Sequence, residues 1–300
     1  MNKSQSYTSI ALAAAGAGIA TYSAMDVVMK GLALELGAYN AMLWRSIISI
    51  LLAGILFLWQ RPAWPTRRVA RLHVWRGFII SIMAFIFFWG LKYLPVAEAI
   101  GLTFIAPLIA LYLARVILKE EIGKQAIAAS LSGLVGASVI IIGRLGGNYD
   151  EDTGRGIAAI LISAVLYAYN LILQRQQALI AGPVEIAFFQ NATVIILFSC
   201  LAPFLAVVPT LNLVPAIAAA AILGLVSLLM MSWAYARASA SNLIPVEYTA
   251  FIWAALFGWL AFGETVTVAT ISGTVLIVIG CFVAIRNQSG HIDHVESTVV

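Results

Sequence analysis

Residues 89–141 read WGLKYLPVAEAIGLTFIAPLIALYLARVILKEEIGKQAIAASLSGLVGASVII, and residues 233–285 read WAYARASASNLIPVEYTAFIWAALFGWLAFGETVTVATISGTVLIVIGCFVAI. An ungapped shift of 144 positions lays Trp89 on Trp233, Ala106 on Ala250, Ala110 on Ala254, Glu120 on Glu264 and Gly136 on Gly280. Each copy is an apolar run, a polar break carrying a glutamate, and a second apolar run. A repeat at about half the chain length indicates duplication, and among membrane proteins duplicated halves are a mark of transporters.

Composition agrees. Of the 300 residues, 62% are hydrophobic and 10% charged, against roughly 45–50% and 25% in a soluble chain. A bilayer needs about 20 consecutive apolar residues per helix. Runs of that kind fall at 8–29, 39–59, 75–94, 96–117, 125–143, 156–175, 184–207, 214–236, 244–263 and 266–285. The fold expected is an all-α membrane protein of ten transmembrane helices. The first run has no cleavage-site break after its apolar stretch and reads as a retained span, not a signal peptide.

Loop charges set the expected orientation. One set of loops and termini holds Lys3, Arg61, Arg67, Arg68, Arg71, Arg76, Lys119, Lys124, Arg175, Arg237 and Arg286, whereas the opposite set holds Lys30, Lys92, Arg144 and Arg155. The positive-inside rule puts both termini in the cytoplasm of an inner-membrane protein. The net charge of +4 is explained in the same way and implies no nucleic-acid partner. Five spans per half is an odd number, so the halves enter the membrane from opposite sides and form inverted repeats. The boundaries are 1–145 for the first repeat, 146–286 for the second and 287–300 for a disordered cytoplasmic tail.

Charges within spans are costly and mark function or pairing. Asp26 and Arg45 fall at similar depth and can pair; Asp26 is expected either to bind substrate or protons or to be an interfacial anchor paired with Arg45 or with Lys30 one helical turn on. Asn170 replaces Asp26 in the second copy, so the polar position recurs without its charge. Glu98 enters the fourth span just after Pro95, and Glu247 enters the ninth near Arg237. Either carboxylate can titrate during transport or sit at the interface. Glu120 and Glu264 lie in turns and are expected to cap the helix that follows each. Tyr167, Tyr169, Asn170, Gln190, Tyr248 and Trp253 offer ring faces and hydrogen-bonding groups suited to a small organic solute. Trp89 and Trp233 use the same chemistry as an interfacial belt, and that plainer reading is preferred for them.

Cys200 and Cys281 lie in apolar runs and imply no disulfide framework. A phosphate loop, H-E-x-x-H and G-x-S-x-G are all absent, and the three histidines fall outside the marked runs. No enzyme, cofactor or resident metal is expected, and gradient coupling, with protons the candidate ion, takes the place of ATP.

Pro95-Val-Ala-Glu-Ala99, Phe104-Ile-Ala-Pro107, the Glu120 turn, Pro245 and Phe262-Gly-Glu264, in that order and within duplicated halves, resemble the EamA family of the drug/metabolite transporter superfamily. The resemblance runs from about residue 8 to 286. It implies a central cavity lined mainly by helices 1, 3, 4, 6, 8 and 9, and transport of amino acids or related metabolites. The second copy departs from the first at Phe251, opposite Pro107. The function expected is a secondary carrier of amino-acid-like solutes by alternating access, with export favoured, acting as monomer or homodimer. Alternatives are uptake of a nucleoside-like or vitamin-like solute, and a non-transporting scaffold or lipid-handling enzyme.

Overall fold

The computed structural model describes residues 3–61, 63–119, 124–145 and 151–264, with 268–269, 271–273, 275–276 and 279 of the last apolar run. Glu120, the acidic segment 146–150, most of the run 266–285 and the tail 287–300 lie outside the described residues. The described residues are helical and contain no strand.

The first helical stretch, α1 (Lys3–Gln60), spans 58 residues. At 1.5 Å per residue a straight helix of that length would be far longer than a bilayer is thick. It reverses at Gly37, whose φ of 78° and ψ of 153° no helix accommodates. Positive φ costs glycine little, because it has no Cβ to clash. The two arms, 3–36 and 38–60, lie against each other: an Arg45 Nη1 sits 3.2 Å from the sulfur of Met25, twenty positions earlier.

After α1 come α2 (Arg67–Gly90), α3 (Val96–Thr103) and α4 (Ile105–Leu113). Thr66 starts α2 by accepting a hydrogen bond from the Val69 amide. That cap places the helix start eight residues before the expected 75, which brings His73 into the helix and moves Arg76 from its expected edge to its interior, where both are buried. The expected span 96–117 is broken at Phe104 because Pro107 has no N–H for the Thr103 carbonyl. A π-turn, Ala114–Leu118, ends it.

The remaining described elements are α5 (Lys124–Leu145), α6 (Glu151–Ala178), α7 (Pro183–Leu205), α8 (Val214–Arg237), the short α9 (Ala240–Leu243), a 3-10 stretch Ile244–Thr249 and α10 (Ala250–Phe262). The expected span 244–263 opens as the 3-10 stretch Ile244–Thr249, with Pro245 in its first turn, before α10 begins. Among the described residues, five helical stretches are long and apolar enough to cross a membrane, and Val96–Pro107 and Val246–Phe262 are shorter apolar ones.

Backbone geometry recurs with the 144-residue offset. Pro95 and Ser239 both precede a helix in extended conformation, at ψ 146° and 154°. Lys119 and Gly263 both end one in the left-handed conformation, at φ 56° and 63°. The packing recurs as well. α2 packs on α6 and α8 on α1, and each crossing holds a serine that donates to a carbonyl of the neighbouring helix. Ser163 bonds Met83 O at 2.9 Å and Ser227 bonds Gly18 O at 2.8 Å.

The exterior is apolar, with Leu51, Ile55, Leu58, Leu256 and Leu260 exposed, while Asp26, Lys30, Arg76, Asn170 and Glu247 are buried. That inversion suits a chain whose solvent is lipid.

Candidate functional site

The buried polar side chains converge on an internal cavity of about 150 Å³. A single water needs roughly 10–15 Å³, so this chamber has room for a small solute. Helical spacing aims the residues inward. Ser163, Tyr167, Asn170 and Gln174 follow one another at four, three and four positions along α6 and all line the chamber. Ile19, Tyr22, Ser23 and Asp26 do the same on α1. Residues three and four apart share a helix face.

Of the expected site residues, Asp26, Arg45, Tyr167, Asn170, Gln190 and Glu247 line this chamber. Glu98, Tyr169, Tyr248 and Trp253 do not. Glu98 is half-buried on α3 outside the wall. The Tyr169 hydroxyl accepts from the Trp75 indole at 3.2 Å near the surface, because Tyr169 is turned off the face that carries Asn170. Tyr248 packs edge-on against Phe104 at 5.0 Å, and Trp253 stacks on Phe257 at 6.0 Å.

The expected Asp26–Arg45 pair is not formed. Neither carboxylate oxygen of Asp26 has a hydrogen-bond partner, and the same is true of Arg45 Nε and Gln190 Oε1. The guanidinium of Arg45 lies instead against the thioethers of Met25 and Met42, at 3.2 and 3.7 Å. It fits beside Gly224, where a Cβ would lie 3.5 Å from Nη1. The alternative Asp26–Lys30 contact is not formed either. Lys30 donates to Glu264 Oε1 at 2.5 Å and to Leu94 O at 2.7 Å. Glu264 Oε2 accepts from the Val96 amide at 2.9 Å. Glu264 therefore caps α3, a helix of the other copy, and not the helix expected to follow it.

Glu247 is held by tyrosines. Tyr167 donates to Oε2 at 2.6 Å, and the Tyr235 hydroxyl lies 3.5 Å from Oε1. Arg237, near it in sequence, instead lies over the Trp233 ring at 3.9 Å and donates to the Trp233 carbonyl.

Two residues were missed. Arg76, counted above among loop cations, lines the chamber and donates to Asn170 Oδ1 at 3.0 Å, Gln177 Oε1 at 2.7 Å and Gln174 Oε1 at 3.2 Å. His73, placed above outside the spans, lies a turn away, between Glu185 at 3.0 Å and Gln177 at 2.7 Å, with its ring stacked on Phe189. The four-three spacing of Asn170, Gln174 and Gln177 along one helix face was the available signal.

A helical bundle with an apolar outside and a charged chamber within is the construction of a membrane carrier for small solutes. The profile of the EamA-like transporter family matches residues 8–142 and again 154–286. The chain belongs to that family, and it is a transporter and not an enzyme.

The chain is similar to the pseudopaline exporter CntI of Pseudomonas aeruginosa, at 26% identity over 90% of this chain and 94% of the exporter. It is also similar to the riboflavin transporter of Rhizobium johnstonii, at 26% identity over 91% of this chain and 89% of that protein. A solved crystal structure shares the fold with a TM-score of 0.67 at 20% identity, covering 90% of this chain and 98% of that one.

Proposed function

We propose that the protein exports a small amino-acid-like zwitterion by alternating access, coupled to protons. It does so in the inner membrane, with both termini cytoplasmic and ten spans arranged as two inverted five-helix halves. One observation carries the reading of the solute: Asp26 and Arg45 face one chamber with polar atoms that no protein group satisfies. A buried charge is stable only when something pairs with it. A solute ammonium group supplies the donors that Asp26 lacks, and a solute carboxylate supplies the acceptor that Arg45 Nε lacks. Similarity to an exporter supports the direction. The recurring backbone geometry supports the repeated halves, and the absence of a phosphate loop favours a gradient over ATP.

The second reading is uptake of a vitamin-like solute. It is favoured by similarity to a riboflavin transporter and by Tyr22, Phe87 and Phe104 in the chamber wall, which present ring faces for stacking.

The test is transport of labelled amino acids by proteoliposomes holding the full chain. Asp26→Asn and Arg45→Gln each remove one charge-assisted contact and are expected to lower transport about 10- to 100-fold, with the melting temperature unchanged. Loss of melting temperature in step with transport would reassign both residues to structure.

A further inference from the structure

The chamber contains a second guanidinium group. Arg76 hangs from α2 with 2% of its surface exposed, and all three of its nitrogens donate to amide oxygens of α6. Gln177 is fixed in turn by His73, whose ring is held by Glu185. These oxygens orient the fork but carry no charge to neutralise it. Three of its five N–H groups are used, and two are left. No carboxylate pairs with it among the described residues. Glu247, which faces the same chamber, is bonded to Tyr167 and Tyr235 instead. Arg45, on the second arm of α1, hydrogen-bonds only to sulfur, and Asp26 acts on it through space without a hydrogen bond. The chamber thus presents two guanidinium groups from different walls, neither hydrogen-bonded to an acid among the described residues, and one carboxylate, Asp26, with no donor. A guanidinium fork held rigid at a cavity wall matches a carboxylate in shape and charge.

Building on the zwitterion reading above, we propose that Arg76 receives a second anionic group of the same solute, so that the class carried is aminodicarboxylates. The ammonium group lies at Asp26, one carboxylate at Arg45 and the other at Arg76. The neutral cradle on α6 serves this purpose. An acid in its place would pair with Arg76 and compete with the solute, whereas three amides hold the fork and leave its charge available.

Competition binding to the purified full chain tests this, with L-glutamate and L-2-aminoadipate as dicarboxylate probes and L-glutamine as their monocarboxylate counterpart. The dicarboxylates are expected to bind the wild type about 10- to 100-fold more tightly than L-glutamine. Arg76→Gln should abolish that preference by weakening L-glutamate and L-2-aminoadipate binding far more than L-glutamine binding, while Arg76→Lys, which keeps the charge but loses the fork, should retain part of it. The wild-type ranking decides the matter even if R76Q does not fold. Equal affinity for glutamate and glutamine overturns the assignment of Arg76 and leaves the zwitterion reading standing. If neither probe nor its counterpart binds, the zwitterion reading falls as well.

Discussion

Gly77 lies one position from Arg76, where α2 meets α7, and a methyl group on it would lie 2.5 Å from Cβ of Thr193. No rotamer of threonine moves its Cβ, so the backbones themselves would have to part. Overpacking of this kind costs about 1–3 kcal/mol. Gly77→Ala is therefore expected to lower the melting temperature of the purified protein, and Thr193→Gly in the same chain to restore it. An unchanged melting temperature in the single variant would mean that the two helices can separate freely. The residue scale is also where the sequence was hardest to read. Arg76 was sorted with loop cations because it is the second residue of the expected span 75–94 and so reads as its charged end, although the Thr66 cap lies ten positions earlier and sets it well inside the helix. Tyr169 and Asn170 are neighbours in sequence at the same depth, yet about 100° apart around the helix. Only the face shared with Ser163, Tyr167 and Gln174 tells them apart.

Between elements, the Lys30–Glu264 pair deserves a test of its own. It ties the first arm of α1 to the end of α10, and through Leu94 O and the Val96 amide it also holds the turn that opens α3. Lys30 further lies 5.2 Å from the Phe262 ring centre. A methyl group on Gly258 would lie 2.5 Å from the Glu264 carboxylate, so the pair depends on that glycine. Lys30 follows Asp26 by one helical turn, which places this cluster next to the chamber. Glu264 is only half-buried, so removing it loosens the arrangement by less than the roughly 3–5 kcal/mol of a fully buried pair. In a chain without Cys200 and Cys281, Glu264→Gln is expected to raise the labelling rate of a cysteine placed at Ala97. An unchanged rate would make the pair a fixed part of the scaffold. The boundaries of these elements were legible where a cap or proline marked them, as at Pro95 and Pro183. They were lost where proline acts at a distance: Pro107 breaks the helix at Phe104, three residues before itself.

At the scale of the whole molecule, the repeat was legible because duplication preserves spacing, and the 144-residue offset found in the letters reappears in the left-handed caps at Lys119 and Gly263. The chamber was not legible as a volume, since it depends on how α1, α2, α6 and α8 lean on one another. The proposed inversion of the halves makes a separate demand on topology. Single cysteines placed at Pro65 and Asp150 should be labelled from opposite faces of the membrane by an impermeant reagent, and labelling of both from one face overturns the arrangement.

Phe104 and Tyr248, in edge contact at 5.0 Å, occupy one and the same position of the two copies. A residue touches its own counterpart only where a symmetric interface crosses its axis. Had the ancestor been a pair of identical half-length chains, one ring would have met itself there, and any mutation would have changed both sides of the contact together. A phenylalanine facing a tyrosine is a difference that evolution can write only once duplication has given each half its own coding stretch. The contact thus requires duplication before asymmetry, and with it comes the freedom to charge Asp26 while leaving Asn170 neutral.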